Sequence, residues 1–415
     1  MKKNYTIVGL IFLIFFVISF ITNILNSILP NIKDSFDLSL GLSGFLPFSF
    51  FVAYGFMSIP AGILIEKYGE KRVMIISFLV ALLGAFLFAS FPSFQVALPS
   101  LFLIGIGMAM LQVAINPLLR ITGGESNFAF FSVMAQLIFG AASAISPYVY
   151  SYLIENLNEY SGGGGVLLDT LSKLVPPEMS WVSLYWIFLA VLLIIIIIVA
   201  VIKFEKVDLA EDEKSGAIQT HVQLLKNRYV VLFFIGIFAY VGTEQGVGNW
   251  ISEFLKQYHN YNPEIQGAQT VSNFWLLLTI GCFLGLILLK IFDSRKILIA
   301  FSTAAIISLA VALFGSGAMA LIAFPIVGFS SSVLWSIIFS LALNSVPKNH
   351  GSFSGILCTG IVGGAIVPLI IGTLGDFVGL KFAMTFLFLT LGYILSIGFW
   401  AKPLITNNTI NFKKD

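Results

Sequence analysis

Apolar runs of roughly 20 residues recur from one end of this chain to the other, each long enough to cross about 30 Å of hydrocarbon. They predict twelve helical spans, at roughly 5–29, 43–65, 73–91, 95–119, 127–154, 181–202, 229–256, 265–290, 296–314, 317–345, 351–375 and 380–401. Turn residues divide the early spans at 30–37, 66–72, 92–93 and 123–127. Two longer polar stretches stand apart. The first, 156–180, contains the glycine run 162–165 and reads as a loop; the second, 203–228, is dense in Glu, Asp and Lys. The second falls between the sixth and seventh spans. The pattern therefore predicts an all-α integral membrane protein with a bundle over 1–203, a linker over 204–228 and a second bundle over 229–415.

Composition agrees. The chain is 58% hydrophobic and 10% charged, with a mean hydropathy of +0.98, which excludes an ordinary soluble domain. A net charge of +2 without a basic cluster interleaved with aromatics excludes a nucleic-acid partner. Cys282 and Cys358 both fall inside apolar spans and read as packing residues. The amino terminus has the basic-then-apolar order of a signal peptide. Its apolar run is too long and no small-residue cleavage site follows, so it reads as a retained span. Of the 22 basic residues, only Lys33, Lys173, Lys256 and Lys381 fall on one side of the predicted topology. The positive-inside rule places the other side, with both termini, in the cytoplasm, and the chain as a multi-pass protein of the cell inner (plasma) membrane.

One charge breaks the pattern. Glu244 sits midway along the seventh span, where a charged side chain costs ~2.5–3.5 kcal/mol on insertion scales. It is expected to face a protein-lined cavity. Tyr240, Gln245, Asn249 and Ser252 share its broad helical arc, and Gly242, Gly246 and Gly248 predict a weakened, broken helix lining that cavity. Other spans carry matching polar faces: Ser19, Asn23, Asn26 and Ser27 in the first; Met108, Gln112 and Asn116 in the fourth, before Pro117; Ser132, Gln136, Gly140 and Ser143 in the fifth. Gln269 and Asn273 follow in the eighth, and Ser332, Ser336, Ser340 and Asn344 in the tenth. Such a lining of amides and hydroxyls with few fixed charges suits a neutral polyol. Trp250, Trp275 and Trp335 could stack on a sugar ring. The competing reading is interhelical hydrogen bonding for the Ser and Asn residues and packing for the tryptophans. His221, His259 and His350 are scattered, and no metal ligand set or catalytic constellation emerges, which argues against an enzyme.

The turn from Gly62 to Arg72, GILIEKYGEKR, resembles the signature of the major facilitator superfamily. Gly62 would allow close helix approach and Gly69 would turn the chain. The resemblance implies that Glu66 meets the start of the eleventh helix near Ser352, with Arg72 completing the conformational switch. GLILLKIFDSRK, 285–296, is a fainter echo in the second half. Within that superfamily the chain resembles the fucose permease-like sugar transporters, on GIGMAMLQVAINP (105–117, carrying an E/Q-x-A-x-N-P pattern) and FAFFSVMAQLIFGAASAISP (128–147). YVGTEQGVGNW in the seventh span and GGAIVP (363–368) agree.

The resemblance implies a twelve-helix major facilitator fold, two pseudo-symmetric six-helix bundles around a central cavity, acting as a monomer. It implies import of a neutral monosaccharide by alternating access. The site residues expected on both grounds are Asn23, Asn26, Gln112, Asn116, Gln136, Tyr240, Gln245, Asn249, Trp250, Asn273 and Trp335, with no cofactor. The acids that fucose–proton symporters carry fall here on Ser27 and Gln112, which cannot hold a proton. Glu244 is then the group left to couple H+ or Na+. Alternatively it only hydrogen-bonds hydroxyls, and the chain is an uncoupled sugar carrier or a carrier of another small polar solute.

Overall fold

The computed structural model describes residues 5–123, 128–158, 160, 162–176, 178–202 and 218–403. Among these, twelve helical segments are long and apolar enough to cross a membrane: Tyr5–Ser35, Leu40–Ile65, Glu70–Ser90, Phe94–Ile115, Met134–Asn158, Ser180–Val201, Arg228–His259, Pro263–Ile291, Ser294–Phe314, Gly317–Leu343, Ser352–Val378 and Leu380–Trp400. Their boundaries follow local chemistry. Ser39, Asn227, Asp293 and Ser316 each accept a backbone N–H from the first turn they precede. Gly69 and Gly379, at φ +80° and +81°, adopt backbone that only glycine takes without strain.

Spans one to six and seven to twelve pack by the same scheme. The first touches the fifth as the seventh touches the eleventh; the second touches the fourth as the eighth touches the tenth; the third meets the fourth and sixth as the ninth meets the tenth and twelfth. That correspondence is the pseudo-symmetry of a duplicated bundle. Between the bundles, the second span packs on the eleventh, the fifth on the eighth, and the first on the seventh. The second and eleventh spans approach backbone to backbone: a Cβ on Gly44 would lie 2.9 Å from the Leu369 Cα, and one on Gly372 would lie 2.4 Å from the Leu40 carbonyl.

Three local expectations are corrected. The turn expected at 30–37 is helix as far as Ser35, because Pro30 interrupts the ladder without disturbing the buried face of Ile28, Leu29 and Ile32. The seventh span is unbroken from Arg228 to His259. Its glycines serve close packing: a Cβ on Gly242 would meet Val367 at 2.4 Å, and one on Gly248 would meet the Asn26 amide at 2.7 Å. The interruption lies instead in the first span, between helices Tyr5–Asn23 and Leu25–Ser35. Lastly, the stretch 156–180 contains a helix of its own, Gly165–Leu174.

Candidate functional site

The polar centre of the molecule forms where the interrupted first span crosses the seventh. Ser27 N–H bonds the Ile24 carbonyl at 2.9 Å, three residues back rather than four, so the Asn23 carbonyl is left for another donor. The Asn26 amide supplies it: its nitrogen donates to the Asn23 carbonyl at 2.7 Å and its oxygen accepts the Asn249 backbone N–H at 3.0 Å. The Asn23 side chain donates to Ser143 Oγ at 2.8 Å, and Ser143 is bridged to Ser19 at 2.6 Å. Across the interface, Gln245 Nε2 donates to Asn23 Oδ1 at 3.4 Å. Asn249 Nδ2 donates to the Gln245 carbonyl at 2.8 Å, while Asn249 Oδ1 and Ser27 Oγ are buried with no partner among the described residues.

Glu244 borders this cluster. The Tyr240 hydroxyl donates to its Oε2 at 2.6 Å, and Gln245 Nε2 to its Oε1 at 3.3 Å. One amide therefore touches both the carboxylate of one bundle and the asparagine of the other. The Tyr240 ring lies 5.9 Å from Trp335, which stacks on Phe339 at 5.8 Å. Glu244 and Trp335 are half-buried, so a carboxylate and an aromatic face share one partly open wall.

At the end of the molecule away from the termini, the bundles are tied by charges that the sequence pattern assigned to loops or to span ends. Lys33 lies 3.2 Å from the buried Glu253, and Lys256 lies 2.5 Å from Asp34. Tyr150 donates to Asn31 Oδ1 at 2.6 Å and Asn31 donates to Glu264 at 2.7 Å. The Asp376 carboxylate, ending the eleventh span, accepts the backbone N–H groups of Leu40 and Gly41 at 2.8 Å each. That bond joins an anion to the unsatisfied start of the second span. The signal that could have found these residues was the pairing of opposite charges at the matching ends of spans one and seven.

Nearer the termini the fifth and eighth spans still touch. Gly140 of the fifth span touches Thr279 of the eighth so closely that a Cβ would fall 1.7 Å from its Oγ1. Gln136, one turn nearer the termini on the same helical face, is exposed. Ser336 and Ser340 are also exposed, whereas Ser332 is buried.

The structure thus brings together Asn23, Asn26, Tyr240, Glu244, Gln245, Asn249 and Trp335. Gln112 is half-buried in the fourth span. The side chains of Asn116, Ser132 and Glu66 lie outside the described residues. Two expected site residues sit elsewhere. Trp250 is 0% exposed and donates Nε1 to the Pro368 carbonyl at 3.2 Å, the position of a packing residue. Asn273 shares a face with the exposed Leu276, Ile280 and Ile287, turned away from the bundle interface. At the 62–72 turn, Gly62 is buried and Arg72 exposed. Lys71 Nζ donates to the carbonyls of Ala200 and Ile202 at 2.8 and 2.7 Å, closing the end of the sixth span.

Residues 11–367 match the family model of the Major Facilitator Superfamily, and the chain belongs to that family, whose members are transporters. It is 31% identical over 407 residues to a glucose/galactose transporter of Brucella abortus, covering 96% of this chain and 94% of that protein. It is 26% identical over 402 residues to the L-fucose-proton symporter of Escherichia coli, covering 91% and 89%. Among solved structures it matches the transporter FucP in its outward conformation with a TM-score of 0.69 at 24% identity, over 95% of this chain and 98% of that one.

Proposed function

We propose that this protein imports a neutral monosaccharide (a hexose, deoxyhexose or N-acetylhexosamine) by alternating access, coupled to an ion gradient through Glu244. The observation that carries the reading is the Gln245 amide, shared between Glu244 of one bundle and Asn23 of the other. Sugar hydroxyls compete for the same kind of partner, so binding exchanges bundle–bundle hydrogen bonds for bundle–sugar–bundle ones. Buried acceptors at Asn249 Oδ1 and Ser27 Oγ add capacity for hydroxyl donors, and Trp335 offers a ring to the apolar face of a pyranose. Because Gln245 leans on the carboxylate, a change in the charge of Glu244 alters the grip of one bundle on the other.

Relatives named glucose/galactose transporter and L-fucose-proton symporter support a sugar substrate, and the latter supports H+ over Na+ as the coupling ion. We assign the first bundle to 1–203, the linker to 204–228 and the second to 229–415. The protein acts as a monomer, and charge distribution supports the inner membrane with both termini cytoplasmic. The test is uptake of radiolabelled hexoses, deoxyhexoses and N-acetylhexosamines into vesicles with imposed proton or sodium gradients. Accumulation of one class driven by one gradient supports the reading. Equilibration indifferent to both gradients would leave an uncoupled carrier, and no uptake of any sugar would reject the substrate class.

A further inference from the structure

The eighth span carries a polar feature on the wrong side for sugar transport. Its buried contacts with the fifth span (Ser272 to the Ala144 carbonyl, 2.6 Å) and with the tenth (Gly281 beside Ser332) leave two other faces at the helical period. One holds the buried Val271 and Trp275. The other holds Leu276, Ile280, Phe283, Leu284 and Ile287, all exposed and so turned to lipid. Gln266, Gln269 and Asn273 continue this lipid-facing stripe toward the end away from the termini. With Thr270, and Leu321 from the tenth span, they line a cleft of about 200 Å³. Neither the Gln269 nor the Asn273 side chain has a hydrogen-bond partner among the described residues.

Depth fixes what such a cleft meets. The span is 29 residues long, about 43 Å at 1.5 Å per residue, against about 30 Å of hydrocarbon. Gln266 therefore lies near the headgroup boundary, with Gln269 and Asn273 within about 10 Å of it. An unpaired amide facing acyl chains is costly. Phospholipid glycerol-ester oxygens are the acceptors nearest this level, and the acyl chains below match the apolar stripe.

The geometry points to a phospholipid-binding notch between the eighth and tenth spans, in which Gln269 and Asn273 donate to the glycerol-ester oxygens of one lipid seated in the cleft. The lining is neutral, so the notch does not select headgroup charge. It stands independently of the sugar reading.

The test is native mass spectrometry of wild type and of Gln269→Leu/Asn273→Leu, titrated separately with phosphatidylethanolamine and phosphatidylglycerol. Leucine suits a lipid-facing position, and an unchanged melting temperature in detergent verifies the fold; Gln269→Ala is the second variant. Wild type is expected to hold one lipid of either kind about tenfold more tightly than the double variant, the loss of two net hydrogen bonds. Equal retention by both proteins would overturn the proposal. So would displacement of the lipid by a monosaccharide, or a dimer of wild type that the substitutions abolish, since either assigns the cleft to another occupant.

Discussion

Lys33 of the first span lies 3.2 Å from Glu253 of the seventh, and Glu253 is 1% exposed: a buried ion pair joins the two bundles at the end away from the termini. Breaking a fully buried pair costs ~3–5 kcal/mol because it strands a charge, and with Lys33 one-fifth exposed we expect about 2 kcal/mol. Glu253→Gln should shift the protein toward the state open at that end. Spin labels at the exposed Glu155 and Asn260, with Cys282 and Cys358 replaced, should report a longer distance. An unchanged distribution would show that the pair does not hold the bundles together.

Asp376 makes a second tie of different chemistry. Its carboxylate receives the N–H groups of Leu40 and Gly41, and a Cβ on Gly41 would come 2.6 Å from Asp376 Oδ2. Asp376→Asn keeps one acceptor and should weaken closure by about 1–2 kcal/mol. Gly41→Val should do so more strongly through steric clash. Both should lengthen the same label distance, Gly41→Val the more.

The amide cluster and the lipid-facing amides make a contrasting pair. Asn23→Ala and Gln245→Ala should each raise the sugar KM about tenfold, the loss of a hydrogen bond to bound hydroxyl. Asn273→Ala should leave KM within about twofold of wild type. Radiolabelled uptake across a concentration series separates them. Equal effects at Asn273 and Asn23 would mean that the sugar path includes the eighth-span stripe.

Much of the candidate polar cluster was legible because a polar residue in an apolar helix has few ways to be tolerated. Glu244 and the Asn23, Asn26, Gln245 and Asn249 set were visible on that ground, and they do converge. Periodicity says that residues share a face without saying which neighbour the face meets. Asn273 was therefore placed with the cavity, although its face continues into Leu276 and Ile280. Trp250 misled in the same way: beside Asn249 in sequence, it points to Pro368 and Gly372. The ties at the far end escaped because Pro30 read as the end of the first span. That moved Lys33 and Asp34 into a loop, and Glu253 looked like a span-end acid needing no partner. Glycines in the seventh span read as weakness when their contacts are close packing against Val367 and Asn26.

The most direct measurement is uphill sugar accumulation by Glu244→Gln in proteoliposomes under an imposed proton gradient, beside sugar exchange at equilibrium. Glutamine keeps the size and an acceptor for the Tyr240 hydroxyl but can neither release a proton nor carry charge. Exchange is expected to persist while concentration above equilibrium is lost. Accumulation equal to wild type would contradict this, and Glu244 would then be a hydrogen-bonding residue of a transporter energised elsewhere.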